Sequence, residues 1–426
     1  MFAPYRQRIR SPVLKTQSIS IVLVGCLVAG CAFAQAPGPA SASRSVVEAK
    51  PFRGPLKPDL PLAKAYNDAA RALAGADDNP LIGWEYRIWC ETGYRDPEDA
   101  GAGQDVDKPL DIERDYISPG GFFHKDTADR LMPEDGVRFL DNVWYFGADG
   151  LGVVVVKSTD GLLLFDTMTN PGQYRLVASQ MKAAGLDPTE IRYIFIGHYH
   201  WDHTGGINAA SKLAPNAPVV IGEPDAELMM NARKAVLAGT TPDTLMERKA
   251  MPFGDETADT PEGKAALRAR RLEAIPGKFD ILVKSDPGVR TGMDVIEVGP
   301  STRVYAVLAP GHTPGQTHYI VPVKDHGQMR HLLVMSGNDG PEQARQYAES
   351  TNYLRAIAGQ VGADTVINTH GYQSAMFYHL RQLKARPDGP NPFAMGPDGI
   401  DRYLGIFAEC QRATYNRLKD GTWKAF

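Results

Sequence analysis

The sequence predicts an α/β fold, on two observations. Apolar runs of strand length end, in three separate places, on a glycine beside a histidine, and stretches of helical periodicity lie between them. The first run, Arg192 to Ile196, alternates and then turns apolar as a central strand does, and Gly197 lets the chain turn sharply at its end. The residues that follow, His198-Tyr199-His200-Trp201-Asp202-His203, place three histidines and one aspartate in six positions, in a chain of 426 residues with ten histidines. That density is the mark of a metal site. His198 and His200 are two apart, so on an extended segment both imidazoles leave from the same side and can grip one ion. Asp202 and His203 lie beyond them and can turn toward a second. Imidazole with carboxylate suits zinc, and also iron, manganese or nickel, because affinity alone discriminates poorly among such ions. No cysteine lies nearby, which excludes a thiolate-rich structural zinc site. Thr204-Gly205-Gly206 then permits a close turn into a helix over Ile207 to Leu213.

Completing a donor set requires distant histidines, and the two remaining strand ends supply them. His312 stands in Leu308-Ala309-Pro310-Gly311-His312-Thr313-Pro314-Gly315, after the strand-like Val304 to Leu308. His370 stands in Asp364-Thr365-Val366-Ile367-Asn368-Thr369-His370-Gly371, at the end of a β-branched run.

This order, H-x-H-x-D-H, then G-H-T-P-G, then a late strand-end histidine, resembles the metallo-β-lactamase superfamily over about Val143 to His370. The resemblance implies an αβ/βα sandwich with two metals at one edge, the first held by His198, His200 and His312 and the second by Asp202, His203 and His370. Upstream, Trp144-Tyr145-Phe146, Val153-Val154-Val155-Val156 and Gly161-Leu162-Leu163-Leu164-Phe165-Asp166-Thr167 resemble the family's opening strands. Asp166 is expected there as a structural carboxylate that orients a metal histidine rather than as a ligand. One departure stands out. Many members carry a bridging aspartate after a glycine beyond G-H-T-P-G, whereas Val334-Met335-Ser336-Gly337-Asn338-Asp339-Gly340 puts Asn338 at that place. Either Asp339 bridges from a shifted loop, or there is no bridging carboxylate and Asn338 hydrogen-bonds near the second metal; the short, rigid spacing favours the latter. A set of five histidines and one aspartate is similar to the cysteine-free dizinc subclass of metallo-β-lactamases, and a helix over Tyr347 to Gln360 before the His370 strand agrees with it. Tyr372, just past His370, is a substrate-contact candidate.

What the resemblance implies chemically is hydrolysis with two zinc ions as cofactors. The ions would lower the pKa of a shared water, polarise the substrate carbonyl and receive charge on the leaving atom, with Asp202 as both ligand and orienter of the nucleophile. Opening of a β-lactam ring by attack on the amide carbonyl is the leading expectation. An exported lactone or ester hydrolase is the alternative, since loops choose the substrate. An iron-loaded oxidoreductase ranks lower, because no flavodoxin-like domain follows the core. A small-molecule substrate is expected: the formal charge is −4, and no basic patch interleaved with aromatics marks a nucleic-acid surface.

Residues 1–34 read as a signal peptide. Arg6, Arg8, Arg10 and Lys15 form a basic start, Ile19 to Val28 an apolar core, and Ala32-Phe33-Ala34 a small-x-small cleavage site, too short a run for a spanning helix. Val28-Ala29-Gly30-Cys31 also resembles a lipoprotein box that would leave Cys31 lipidated, so a periplasmic or secreted protein is expected, lipid-anchored in the second case. In an oxidising compartment the two body cysteines, Cys90 and Cys410, either pair as a disulfide or remain two buried thiols. Residues 35–135 read as an Ala/Pro/Ser-rich tether and a partly ordered extension with a helix over Pro61 to Ala74, and 136–384 as the catalytic domain. Within that domain 223–286 reads as a helical insertion, either a lid over the site or a solvated excursion. Residues 385–426 read as a helical tail with its helix over Ile400 to Leu418.

Overall fold

The computed structural model describes residues 60–420, apart from 76–79, 87–88, 91–134, 149, 243, 249, 252–259, 338–342, 375, 377–378, 381–382 and 384–385. The signal peptide, the tether, Asn338 and Asp339 therefore lie outside the described residues. All described residues belong to one unit, Lys50–Phe426.

Twelve described strands form two sheets. In the first, β1 (Val137–Leu140), β2 (Val143–Gly147), β3 (Gly152–Ser158), β4 (Gly161–Phe165), β5 (Ile191–Phe195), β6 (Val219–Gly222) and β7 (Ile281–Val283) lie side by side in sequence order. The pairs up to β3–β4 are antiparallel, and from β4 to β7 they are parallel. The second sheet runs β12 (Thr365–Asn368), β11 (Gln328–Met335), β10 (Thr317–Asp325), β9 (Arg303–Leu308), β8 (Gly292–Glu297). There only β11 and β12 are parallel.

The period of two decides which layer each side chain joins. Val154, Val156, Leu163 and Phe165 point between the sheets and meet Ala306, Leu308, Tyr319, Val321, Leu332, Val334 and Ile367 of the second sheet. Their neighbours Val153, Val155, Leu162 and Leu164 point outward onto α3 (Pro171–Ala183), α5 (Ile207–Leu213) and α6 (Glu223–Ala238). On the far side, Val307, Ile320, Leu333, Met335 and Val366 face α9 (Ala344–Val361), α10 (Gly396–Lys419) and α1 (Pro61–Ala74). Four layers result, helices on sheet on sheet on helices. Strands buried on both faces read as continuous apolar runs, which is why β3 and β4 carry no polar alternation.

Helix ends follow local chemistry. Asn170 caps α3 by accepting from the Gln173 amide at 3.0 Å. Arg402 of α10 closes the C-terminus of α1, its guanidinium donating to Leu73 O at 2.8 Å and Ala74 O at 2.7 Å. α10 buries Ile400, Tyr403, Leu404 and Phe407, and a disulfide joins its Cys410 to Cys90.

The segment 223–286, expected as an insertion, is largely a crossover. α6 buries Ala226, Met229, Ala232 and Val236 against the first sheet, and β7 is that sheet's seventh strand, pairing Val220 with Ile281. Three residues of strand behind a helical stretch carry too little pattern to be read from sequence. After His370 comes a 3₁₀ turn, Gly371–Ser374, and Met376, His379, Leu380 and Leu383 beyond it are helical.

Candidate metal centre

One edge of the sandwich collects the chemistry. The strands β4, β5, β6, β9, β11 and β12 all deliver their C-terminal ends there, and the segments that follow them carry Asp166, the H-x-H-x-D-H stretch, Asp225, His312, Ser336 and His370 respectively. After β5 the chain stays extended through His200 (φ −60°, ψ 145°) and then winds into the short α4 (Trp201–Thr204), which carries Asp202 and His203. The amide of Thr317 donates to Gly197 O at 2.8 Å, so the first loop is fastened to the second sheet.

The six predicted ligands come together. Single ligand atoms of His198, His200 and His312 all lie within 4.8 Å of one another, as do those of His198, Asp202 and His203. His200 Nδ1 and His312 Nε2 are 2.9 Å apart. His370 Nε2 lies 3.0 Å from His203 Nε2 and 3.7 Å from Asp202 Oδ2. The two groups adjoin through His198 and His203, whose ring centroids are 4.0 Å apart.

Hydrogen bonds behind the rings fix which nitrogen faces inward. His203 Nδ1 donates to Asp166 Oδ2 at 2.7 Å and His370 Nδ1 to Gly150 O at 2.9 Å. Ser336 Oγ donates to Asp166 Oδ2 at 3.0 Å and accepts from His198 Nδ1 at 3.1 Å. Each of the three imidazoles thus turns Nε2 to the centre. His198 Nε2 is buried there without a hydrogen-bond partner among the described residues. A buried nitrogen lone pair left unsatisfied costs about 1–3 kcal/mol, which bonding to a cation would relieve. The donor set of imidazoles and a carboxylate fits divalent metal ions.

Electrostatics agree with that fit. Burial, then the neighbouring histidines, holds His198 and His312 well below the ordinary imidazole value, and His370 is lowered to about 4 by the same causes. These rings are neutral. For His203 burial works against the proton, but Asp202 and Asp166 outweigh it and lift the ring to about 10. Asp202 itself, despite burial, is drawn far below the usual carboxylate value by His203, His370 and His200. The cluster holds positive charge between two carboxylates, as it would around cations.

The supporting residues were only partly legible. Asp166 sits where a carboxylate behind His203 was expected, and its other oxygen accepts from the Gly197 amide at 2.8 Å. It adopts a left-handed backbone (φ 64°), which aspartate tolerates better than most residues. Ser336, Gln316 and Asp225 were not found from sequence. Gln316 is fully buried; its Oε1 accepts from the His312 amide at 3.0 Å, and its Nε2 donates to Ser336 O and to Tyr347 Oη, each at 2.6 Å. No motif marks a lone serine as the partner of loops 138 and 170 residues away, or a lone glutamine as a bridge between neighbouring loops. Gln373 is buried, accepting from Asn368 Nδ2 at 2.5 Å. Tyr372 lies in the Gly371–Ser374 turn, and its side chain, like Asn338, is outside what is described.

Comparison with known proteins agrees with this architecture. Residues 152–325 match the model of the metallo-beta-lactamase superfamily. A metallo-beta-lactamase of Cronobacter sakazakii with a HARLDQ motif is 20% identical, with a TM-score of 0.50, and the match covers 70% of this chain and 98% of that one. A subclass B3 metallo-beta-lactamase of Bradyrhizobium japonicum is 22% identical over 66% of this chain and 94% of its own, with a TM-score of 0.46. Among curated proteins, the transcription termination factor FttA of Cenarchaeum symbiosum (strain A) is 26% identical over 210 residues, and this chain spans 32% of its length. Two facing sheets between helices, the matched residues 152–325 and a cluster of metal donors at one sandwich edge give one conclusion: over residues 152–325 this chain is similar to the metallo-beta-lactamase superfamily, and it has the fold of those metal-dependent hydrolases.

Proposed function

We propose that this chain is an exported two-zinc hydrolase that opens the β-lactam ring. The observation that supports it most is that His198, His200, His312, Asp202, His203 and His370 gather at one strand edge, with no cysteine among them. When bound, the ions would polarise a carbonyl and acidify a water. The chain's residues do the rest. Asp166, Ser336 and Gly150 hold protons on the outer nitrogens of His203, His198 and His370, keeping Nε2 of each turned inward. Asp202 is a carboxylate with 26% of its side chain exposed, placed to accept a hydrogen bond from the attacking water and set its direction. The almost wholly buried Asp166 cannot reach solvent and serves the ligands alone.

Export is supported by the signal-like residues 1–34 and by the Cys90–Cys410 bond, which suits the periplasm or the outside of the cell. Anchoring through a lipid on Cys31 is the variant of that location. A β-lactam substrate would place the protein in antibiotic resistance. The acidic balance of the chain, −4 overall, favours a small-molecule substrate over nucleic acid.

A second reading, lactone or ester hydrolysis, draws on the length of chain outside the matched residues 152–325. The Cronobacter structure leaves 30% of this chain unmatched, since 70% is covered. The two are separated by assaying purified protein of known metal content against a chromogenic cephalosporin and a panel of lactones and aryl esters. Cephalosporin hydrolysis with about two zinc ions per chain is expected. A zinc-loaded protein that cleaves lactones and leaves the cephalosporin intact would establish the second reading, and iron in place of zinc would point to an oxidoreductase. His200→Ala should lose activity at least about 100-fold together with bound metal; an active variant would overturn the assignment of His200.

A further inference from the structure

Asp225 is fully buried, carries no ligand in the assignment above, and touches both loops that supply the three-histidine group. It is the third residue of α6 and sits in that helix's first turn. A carboxylate there ordinarily reaches back to its own helix N-terminus. Asp225 reaches outward instead. Its Oδ2 accepts from the Tyr199 amide at 2.9 Å and from Thr313 Oγ1 at 2.6 Å, and its Oδ1 accepts from the Gly315 amide at 2.6 Å. Tyr199 lies between His198 and His200, and Thr313 directly follows His312. One carboxylate therefore spans the stretches that carry all three imidazoles of one group.

The surroundings are built for that span. A Cβ on Gly315 would lie 2.5 Å from the Asp225 amide nitrogen, and one on Gly222 would lie 1.9 Å from Gly315 O, so both positions need glycine for the loop to come this close. Burial pushes the Asp225 carboxyl up to about 7 against the pull of Thr313, Gly315 and Tyr199. The positive end of α6 adds to that pull. A buried acid held by three donors from two loops, and by no base, is a clamp.

We propose that Asp225 is a positioning residue that holds His198, His200 and His312 in register for one metal ion. The inference rests on the metal-centre reading. In Asp225→Asn, whichever way the amide turns, one of the backbone donors at Tyr199 or Gly315 meets an N–H group, and the clamp opens on one loop. His203 and His370 donate their outer hydrogen bonds to Asp166 and Gly150 and make none to Asp225.

The test is competition of the purified protein with a chromogenic zinc chelator, plus cobalt(II) titration to follow each ion's absorption bands. Expected for Asp225→Asn is about 10–100-fold weaker binding of one ion, with the other unchanged within about twofold, and loss of one set of cobalt bands. Thr313→Val, which removes a single donor, should weaken the same ion by a smaller factor and keeps the test open should Asp225→Asn not fold. A wild-type chain that takes up no zinc would overturn the metal-centre reading and this inference with it. A wild type that binds two ions, beside variants that hold both as tightly or lose both equally, would overturn the inference alone.

Discussion

The Ser336 hydroxyl stands 3.1 Å from His198 Nδ1 and 3.0 Å from Asp166 Oδ2, so its removal acts on both donor groups at once. In Ser336→Ala, His198 loses the acceptor that fixes its tautomer, and Asp166 loses a donor that shares its charge. Partners of metal ligands cost about 10–100-fold in metal affinity when removed. Weakening of that size is expected at both ions, read by chelator competition, in contrast to the one-ion effect assigned to Asp225. Equal affinity in Ser336→Ala and wild type would show the hydroxyl to be dispensable. Residues such as this were invisible in the sequence. His198 to His203 announce themselves by crowding into six positions, whereas Ser336 gains its role only when β11 is laid beside β5's loop, 138 residues away.

At the scale of elements, the close approach of the β5 and β11 ends sets the geometry of the edge. A Cβ on Gly197 would lie 2.1 Å from Ser336 Cβ, a distance no packed side chains tolerate. Gly197→Ala must push the two loops apart, and overpacking of this kind costs about 1–3 kcal/mol. Gly359 provides the contrast within one chain. It is exposed inside α9 with nothing within 4 Å of its Cβ position, so Gly359→Ala should stabilise by about 0.5–1 kcal/mol. Denaturant midpoints of the two variants, moving in opposite directions from wild type, are the expected result. A Gly197→Ala midpoint equal to wild type would mean that the loops are not in contact. The sequence showed Gly197 as a sharp turn; that the same glycine is also needed for contact between sheets required the second sheet to be in place.

For the molecule as a whole, two histidines outside the metal centre link stability to pH. Burial lowers His318 and His379 to about 4, from 6.5 for a free ring. Between those values the unfolded chain binds more protons than the folded one, so stability rises with pH across the window and falls on acidification. Each ring contributes about 1.4 kcal/mol per pH unit there. His379→Phe keeps a ring beside Phe393, whose centroid lies 5.4 Å away, and removes one titration. With a chelator present, unfolding free energies at pH 4.5, 5.5 and 6.5 should give a shallower slope for the variant by about one proton, and parallel slopes would disprove the linkage. How much of the molecule was legible follows contact distance along the chain. Strand-end glycines and histidines, the α/β alternation and the helix at Pro61–Ala74 are local patterns and were read directly. The role of Ser336 and the Asp225 clamp are set by partners far away in sequence, and no local pattern carries them.

The bond between Cys90 and Cys410 has a topological consequence. It closes a covalent ring whose two ends are 320 positions apart, and all six metal donors, from His198 to His370, lie inside that ring. A protease that cuts the backbone once anywhere between the two cysteines does not release a fragment: the severed pieces stay one molecule, with His312 and His370 still tethered to His198, until a reductant opens the ring. Wherever reductants are scarce, a nicked chain of this design keeps both halves of its donor cluster together.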